Sequence, residues 1–343
     1  MIAAETPAVD TFRSPCCIPR MTTSLALQVQ GISKAYAQHV AVRTLSLEVP
    51  HGAVYGLLGP NGAGKTSSIR MILNIMAPDT GRITVLGRPH DDPALVDRVG
   101  YLPEERGLYR KMEVRRVLRF LGELKGLGGS DLDRRIDAWL ERMSLRGTGA
   151  DWGRAKVDEL SRGMQQKVQF IGTVLHEPEL IVLDEPFSGL DPVNAQALKD
   201  TVLELRQQGR TILFSTHLMD VAERMCDAVA IVNRGHIVLN GVMREVKASQ
   251  PTTPRVAVTF DSGSADRARA ILADRSLVAD IDDHGHHVDI TLAAGATSQQ
   301  LLARFVAADV SIARFDRIEP SLHQIFLQRV GATGVEAGMS GHG

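Results

Sequence analysis

A glycine-rich octapeptide with one lysine is the segment whose residue types most directly indicate chemistry. It fits the pattern G-x-x-x-x-G-K-[ST]. Glycines let the backbone wrap around phosphate oxygens so that N–H groups point inward, and a following helix adds its positive N-terminal end. The lysine would offer a point charge to the β- and γ-phosphates, and the threonine hydroxyl can join a magnesium shell. The predicted phosphate contacts are Gly59, Pro60, Asn61, Gly62, Ala63, Gly64, Lys65, Thr66 and the adjacent Ser67.

Two adjacent carboxylates, Asp184 and Glu185, follow the apolar run at 180–183. The run predicts a buried strand whose end is open to solvent. There Asp184 can hold Mg²⁺ through water, and Glu185 can orient or deprotonate the water that attacks a phosphate. A strand that ends in Asp-Glu is more often only a solvated terminus. The phosphate loop about 120 residues earlier favours the hydrolase interpretation.

The elements that must position these motifs follow an α/β pattern, because short apolar runs alternate with longer segments of helical period. The phosphate loop lies between a predicted strand and a predicted helix, and a mostly helical insertion is predicted at 112–143. After about residue 254 a smaller α+β unit follows. Strands are predicted at 25–29, 45–49, 54–58, 82–86, 180–183, 211–214, 228–232, 255–260, 288–292 and 310–315, and helices at 65–75, 193–207, 219–226, 266–272 and 299–306.

The segment LSRGMQQ at 160–166 places Ser161 as the N-cap of a further predicted helix. Together with the two motifs above, it resembles the signature of the ATP-binding-cassette (ABC) ATPases. In that family the signature serine and glycine of one subunit contact the γ-phosphate held by the phosphate loop of another. The resemblance therefore implies that Ser161 and Gly163 bind the nucleotide of a partner copy.

Three further residues fall where this family has functional ones. Tyr36 resembles the aromatic residue that stacks on adenine, although ordinary packing is the alternative for one tyrosine. The segment SGLD at 188–191 resembles the D-loop, which crosses the dimer interface, and so implies a nucleotide-site role for Asp191. His217 resembles the switch histidine that reaches the γ-phosphate, whereas a lone histidine is usually structural. The resemblance makes Glu185 and His217 the predicted catalytic residues.

One position departs from the commonest family pattern. After VGYLP at 99–103, where most ABC ATPases have the Q-loop glutamine, this chain has Glu104. A carboxylate can ligate magnesium as an amide oxygen does, so Glu104 joins Thr66 and Asp184 as a predicted metal ligand, but its charge repels a phosphate if no metal intervenes. The segment GYLPEERGLY at 100–109 resembles the corresponding segment of the NatA-like branch of bacterial exporter ATPases. Members of that branch carry a small C-terminal domain ending in a segment like EPSLHQIF at 319–326.

The resemblance covers residues 26 to about 330 and implies a P-loop NTPase core with a mostly helical insertion and a small C-terminal α+β domain. It also implies ATP and Mg²⁺ as cofactors, ATP hydrolysis, and a homodimer or paired cassette that forms head-to-tail and drives a separate integral membrane permease, an exporter. The predicted organisation is a disordered extension at 1–23, a nucleotide-binding domain at 24–248 with its helical subdomain at about 105–165, an accessory domain at 255–330 and a disordered tail at 331–343. Met21 is an alternative start of translation.

Composition narrows the function class further. Thirty-nine basic against 40 acidic residues do not favour nucleic acid as a partner. No apolar run approaches the about 20 residues of a spanning helix, so the permease must be another chain. Three cysteines indicate a reducing compartment, hence a cytoplasmic location on the inner face of the membrane through the permease.

Two alternatives to a transporter subunit stay open from the sequence. One is an ABC ATPase acting on nucleic acid or ribosomes, a class that usually has coiled-coil or zinc insertions or two cassettes in one chain. The other is an interaction protein in which ATP only gates dimerisation because Glu104 weakens catalysis. The transported substrate is not indicated by any residue.

A histidine-rich segment lies far from these motifs. His284, His286 and His287, beside Asp282 and Asp283, have side chains that can ligate zinc or nickel. The segment is predicted to be a turn between two strands, which favours a structure without metal.

Overall fold

The structure is a computed structural model that describes residues 24–37, 39–105, 107–147, 149–248, 254–261, 264–318 and 320–334. The segment 1–23, predicted to be disordered, lies outside the described residues. The strands are β1 (Leu25–Tyr36), β2 (His39–Pro50), β3 (Val54–Leu58), β4 (Thr80–Val85), β5 (Arg88–Pro89), β6 (Val99–Leu102), β7 (Arg146–Gly147), β8 (Ala150–Asp151), β9 (Leu180–Asp184), β10 (Thr211–Thr216), β11 (Ala228–Asn233), β12 (His236–Val242), β13 (Arg255–Phe260), β14 (Val278–Asp283), β15 (Val288–Leu292) and β16 (Ile312–Ile318). The helices are α1 (Lys65–Ile72), α2 (Val114–Glu123), α3 (Gly129–Arg142), α4 (Arg162–Val174), α5 (Pro192–Gln207), α6 (Met219–Met225), α7 (Met243–Ala248), α8 (Ala265–Leu272), α9 (Ser298–Ala307) and α10 (Leu322–Gly334).

A six-stranded sheet in the order β12-β11-β3-β10-β9-β6 forms the centre of the larger unit. Its strands β11, β3, β10, β9 and β6 run parallel. Every residue of β3, β9 and β10 is buried, as expected for parallel strands covered on both faces. Because parallel strands end at one edge, the segments that follow Leu58, Leu102, Asp184 and Thr216 meet there.

An antiparallel sheet, β2-β1-β4-β5, shares one core with the central sheet and the buried side of α1. The structure corrects two boundaries here. The first strand is predicted to end at residue 29, but β1 extends to Tyr36, because Tyr36 pairs with His39 at the end of a long hairpin. The helix α1 ends at Ile72 rather than at residue 75, because Asn74 adopts a left-handed conformation with φ of 55°.

The predicted helical insertion is present as α2 and α3, which pack on α4. Leu118, Leu132 and Ile136 are fully buried there, and Trp139 meets Phe170 edge to face with ring centroids 6.3 Å apart. The helical pattern therefore arises from one buried stripe on each helix. A short hairpin, β7–β8, follows α3.

The C-terminal α+β unit has an antiparallel sheet in the order β14-β15-β13-β16. Its core joins the inner sheet residues Val256, Val258 and Ile290 to Leu301 and Phe305 of α9. The sequence pattern gives no bounds for β14, the strand before the predicted histidine turn, and does not predict α10. The tail predicted to be disordered from residue 331 begins inside α10, which continues to Gly334, and residues 335–343 lie outside the described residues.

The helix α10 packs on the larger unit instead of on its own sheet. Leu322 and Ile325 are fully buried in the core that contains α6. The backbone N–H of Leu322 donates to Glu223 Oε2 of α6 at 3.0 Å. Within the described residues, every helix is too short or too polar to span a lipid bilayer.

Candidate nucleotide site

The glycine-rich loop connects the buried strand β3 to α1 at the carboxyl edge of the central sheet. Gly64 has φ of 106°, and a Cβ there would lie 2.4 Å from Ala41 O, so only glycine fits. Lys65 is 6% exposed, and its Nζ donates to Gly59 O at 2.7 Å and to Pro60 O at 3.2 Å. Residues 60–62 are exposed at the tip of the loop, whereas Ala63 is buried and Thr66 and Ser67 are half-buried.

Asp184 is fully buried at the end of β9. It pairs in register with Ser215 of β10, whose hydroxyl donates to Asp184 Oδ1. Its second oxygen, Oδ2, is buried and has no hydrogen-bond partner in the described chain. Burial of an unsatisfied carboxylate oxygen is costly, which makes this oxygen a candidate ligand atom.

Glu185 follows Asp184 in a left-handed conformation with φ of 47°, which is uncommon for a residue other than glycine. Its backbone N–H donates to Ser215 Oγ at 2.9 Å. Its buried carboxylate lies between two residues: Oε1 is 3.2 Å from Lys65 Nζ, and Oε2 is 3.0 Å from His217 Nδ1. The contact with Lys65 is an ion pair without hydrogen-bond geometry, since Oε1 accepts no hydrogen bond. The structure therefore brings Lys65, Asp184, Glu185 and His217 together.

Glu104 lies two residues beyond β6, the strand next to β9. It is exposed, and none of the hydrogen bonds described for the chain joins it to Thr66 or Asp184. Tyr101 of β6 lies near both Asp184 and Glu104. Burial raises the pKa of its phenol, and the charges of Asp184 and Glu104 raise this pKa further. The loop after β6 is held by Gln169 of α4, whose Nε2 donates to Glu105 O at 3.1 Å.

The signature segment contacts α5, the helix that follows the segment resembling the D-loop. Ser161 caps α4 as predicted, since its hydroxyl accepts from Met164 N at 3.3 Å. Asp191 caps α5 by accepting from Asn194 N at 3.0 Å, and these hydrogen bonds hold the pKa of the Asp191 carboxyl below its usual value. Gly163 packs so closely on Asn194 that a Cβ would lie 2.7 Å from Nδ2. In the described part of the chain, no hydrogen bond joins Ser161 to Lys65, Glu185 or His217.

Tyr36 lies at the rim of the larger unit. The residue is 43% exposed, and its hydroxyl donates to Met76 Sδ at 2.8 Å. An exposed ring face is available for stacking, but the described contacts do not bring Tyr36 to the phosphate loop.

Comparison with known proteins decides the family. Residues 42–188 match the family model for ABC transporters, and residues 241–330 match the C-terminal domain of DrrA1-3-like ATP-binding proteins. The chain is 40% identical to the uncharacterized ABC transporter ATP-binding protein YhaQ of Bacillus subtilis (strain 168), over 89% of this chain and 99% of the relative. The chain belongs to the ABC transporter ATP-binding proteins. The P-loop NTPase core and ATPase function implied by the sequence are thereby confirmed.

Two drug-resistance proteins are also relatives of this ABC ATPase. The daunorubicin resistance ATP-binding protein DrrA3 of Streptomyces coeruleorubidus is 32% identical over 89% of this chain and 96% of its own length. The linearmycin resistance ATP-binding protein LnrL of Bacillus subtilis (strain 168) is 29% identical over 90% and 99%. A solved ATP-binding subunit of an ABC transporter is 30% identical, with a TM-score of 0.59 over 65% of this chain and 92% of its own. These names support a transporter subunit and not the class that acts on nucleic acid.

Sequence reasoning missed three residues that position the candidate site. Ser215 holds both carboxylate residues, Gln169 holds the loop after β6, and Asn194 links Gly163 to Asp191. Ser215 could have been found from its place next to His217 at the end of a predicted strand. Gln169 and Asn194 lie inside helices and carry no local signal.

Proposed function

We propose that this ABC ATPase binds ATP with Mg²⁺ on its phosphate loop and hydrolyses it at composite sites in a head-to-tail dimer. The observation that carries the proposal is the position of the Glu185 carboxylate, held between Lys65 and His217 beside the phosphate loop. A base for water and a cation for phosphate thus lie in contact at one sheet edge.

The residues present fit a nucleotide with a divalent cation. Asp184 Oδ2 is a buried oxygen without a partner in the described chain, and the half-buried Thr66 is the second residue of α1, next to Lys65. We assign Asp184 and Thr66, with Glu104 from the neighbouring strand end, as the groups that would hold Mg²⁺. When bound, Mg²⁺ supplies positive charge against the phosphate oxygens.

In the proposed mechanism, Glu185 accepts the proton of the attacking water. Its backbone N–H is held by Ser215, and its Oε2 is held by His217. The carboxylate is therefore already oriented when water binds. Lys65, fixed by two carbonyl oxygens of its own loop, binds the phosphate charge. His217 is 40% exposed, which leaves it able to contact a γ-phosphate as well.

The dimer is proposed because the signature is separate from the phosphate site within one chain. Ser161 and Asp191 are exposed at the N-termini of α4 and α5, and Asn194 joins their two segments. A helix N-terminus with an exposed hydroxyl is suited to receive phosphate. We therefore assign Ser161, Gly163 and Asp191 to the nucleotide of the second copy, and Tyr36 to the adenine of its own.

A separate membrane permease is the proposed partner, and export the proposed direction. The relatives DrrA3 and LnrL are named for resistance to daunorubicin and linearmycin, and removal of a compound from the cell is a route to resistance. The chain would lie on the inner face of the membrane, with the helical insertion and the Glu104 loop against the permease. We propose domains at 24–248 and 255–330, the second as an accessory module.

Glu185→Gln tests the catalytic assignment. The substitution keeps the shape of the side chain but removes the base, so ATP should still bind, turnover should fall to background, and an ATP-dependent dimer should accumulate. Steady-state phosphate release and light scattering after size exclusion measure these effects. Glu123→Gln, on the exposed side of α2, is the matched control and should behave as the wild type.

The two parts of the proposal fail separately. Wild-type turnover in Glu185→Gln would remove Glu185 from the role of base. A Glu185→Gln protein that binds ATP but stays monomeric at saturating nucleotide would refute the composite site. For the permease, cross-linking in native membranes should join the helical insertion to a polytopic protein, and absence of any such product would contradict that assignment.

A further inference from the structure

The hairpin formed by β14 and β15 places four metal-ligating side chains on one face of the C-terminal sheet. The N–H of His284 donates to His287 O at 3.0 Å, which closes a turn with Gly285 at φ of 80°. His284 and His287 therefore face each other. Asp282 pairs with Asp289, the next pair but one along the strands. Since side chains alternate along a strand, these two pairs point to the same side.

The distances between their ligand atoms suit one metal ion. His287 Nε2 lies 3.4 Å from Asp289 Oδ1, and His284 Nε2 lies 3.8 Å from Asp289 Oδ2. One ligand atom from each of these three residues falls within 4.8 Å of the others. Zinc bonds of about 2.0–2.1 Å in a tetrahedron place ligands about 3.3 Å apart, so small side-chain rotations suffice.

The carboxylate of Asp289 has an oxygen free for a metal. The side chain is 16% exposed, and Oδ1 is buried without a hydrogen bond among the described residues. Arg255 of β13 is the competing cation, with Nη2 3.5 Å from Oδ2. It therefore holds one oxygen and leaves the other to ligate, as an outer-shell partner of a metal ligand does.

We propose that His284, His287 and Asp289 bind one Zn²⁺ per chain, with Asp282 beside the fourth position, its Oδ2 3.5 Å from His284 Nε2. Two imidazoles and a carboxylate are a zinc donor set, and an ion there fastens the two strands of the hairpin. The turn favoured by the sequence is present. It does not exclude metal, because the turn itself brings the histidines together with Asp289, which lies beyond the histidine segment on β15.

Zinc titration of the untagged full-length protein without nucleotide tests this site, since a histidine tag would itself bind the ion. Competition with a chromophoric chelator should show one Zn²⁺ per chain. His287→Gln and the isosteric Asp289→Asn should each weaken binding by at least about tenfold. His286→Gln is the matched control, because His286 lies in the same turn but outside the ligand group, and it should bind as the wild type does.

A second measurement separates ligation from folding. Zinc should raise the thermal unfolding temperature of the wild type and of His286→Gln but not that of His287→Gln, and X-ray absorption at the zinc edge should show two imidazole nitrogens. Circular dichroism of the metal-free proteins should be superimposable. Equal affinity in the wild type and both ligand variants, no saturable binding, or half an ion per chain with dimer formation would each overturn the site.

Discussion

Ser215 lies directly beside Asp184 on the neighbouring parallel strand, and its one hydroxyl donates to the Asp184 carboxylate while it accepts the backbone N–H of Glu185. One buried side chain thus fixes the orientation of the candidate metal ligand and of the candidate base. Because Ser215 fixes the backbone of Glu185, the Glu185 carboxylate points toward Lys65 and His217.

Ser215→Ala should lower ATP turnover by about 10- to 100-fold, the effect typical of losing a group that orients a metal ligand. It should also lower the free energy of unfolding by about 1–3 kcal/mol, because Asp184 Oδ1 loses its donor. Phosphate release at saturating ATP and guanidinium unfolding measure the two effects.

Thr201→Val is the control for this change. Thr201 is also buried, and its hydroxyl donates to Ala197 O at 2.8 Å within α5, away from the site. Its loss should cost about 0.5–1.5 kcal/mol without altering turnover. Equal turnover in both variants would show that Ser215 does not position the carboxylates.

Gly64→Ala should abolish ATP binding. A Cβ at this position would overlap Ala41 O, and the φ of 106° strains any other residue, so the loop must shift. The expected loss of unfolding free energy is about 1–3 kcal/mol. Gly87→Ala has a similar φ of 77° but open space around it, so it should cost about 1 kcal/mol and bind ATP normally. Wild-type affinity for a fluorescent ATP analogue in Gly64→Ala would contradict the assignment.

The phosphate loop and the helix cap of the site could be predicted from the sequence, because the residues that do the chemistry also determine the local backbone conformation. The loop around Lys65 needs its glycines whatever the rest of the fold is, because its own backbone conformation requires them. Ser161 likewise caps the helix that begins at the next residue. The contacts between Ser215 and Asp184, or between Gln169 and the loop after β6, depend on strand register and helix packing, which no local pattern encodes.

The same reason explains the errors in the fold. The end of β1 at Tyr36 depends on its pairing with β2. The helix α10 buries its apolar residues in the core of the larger unit, and the residues next to it in sequence do not show that this core will cover them. The sequence alone does not group Asp289 with the histidines, because no local pattern encodes the hairpin register that brings it near His287.

Tyr55→Phe should reveal a buried phenol through the alkaline stability of the protein. Tyr55 is 1% exposed and donates to Asn240 Oδ1 at 2.6 Å, and burial raises the pKa of the phenol above its usual value of about 10. Above about pH 10 the unfolded chain loses this proton while the native chain keeps it, so stability falls as pH rises, by up to about 1.4 kcal/mol per pH unit.

The comparison of the two proteins at several pH values isolates this effect. At pH 7 the wild type should be more stable than Tyr55→Phe by about 0.5–1.5 kcal/mol, because the variant lacks the hydrogen bond. The difference should shrink between pH 9 and pH 11, as only the wild type has the phenol. A difference in urea unfolding that stays constant with pH would show that Tyr55 ionises equally in both states.

Ile325→Ala should lower the unfolding free energy of the larger unit by about 2–5 kcal/mol, although Ile325 lies near the C-terminus, because its side chain is fully buried in the core that contains α6. Leu327→Ala on the same helix is the control, since Leu327 is 47% exposed and its loss should stay within about 0.5 kcal/mol. Loss of α10 packing should also remove the Leu322 N–H that donates to Glu223, and so raise hydrogen exchange in α6, the helix that begins two residues after His217. Equal stability of the two variants, or unchanged exchange in α6, would show that α10 is not part of that core.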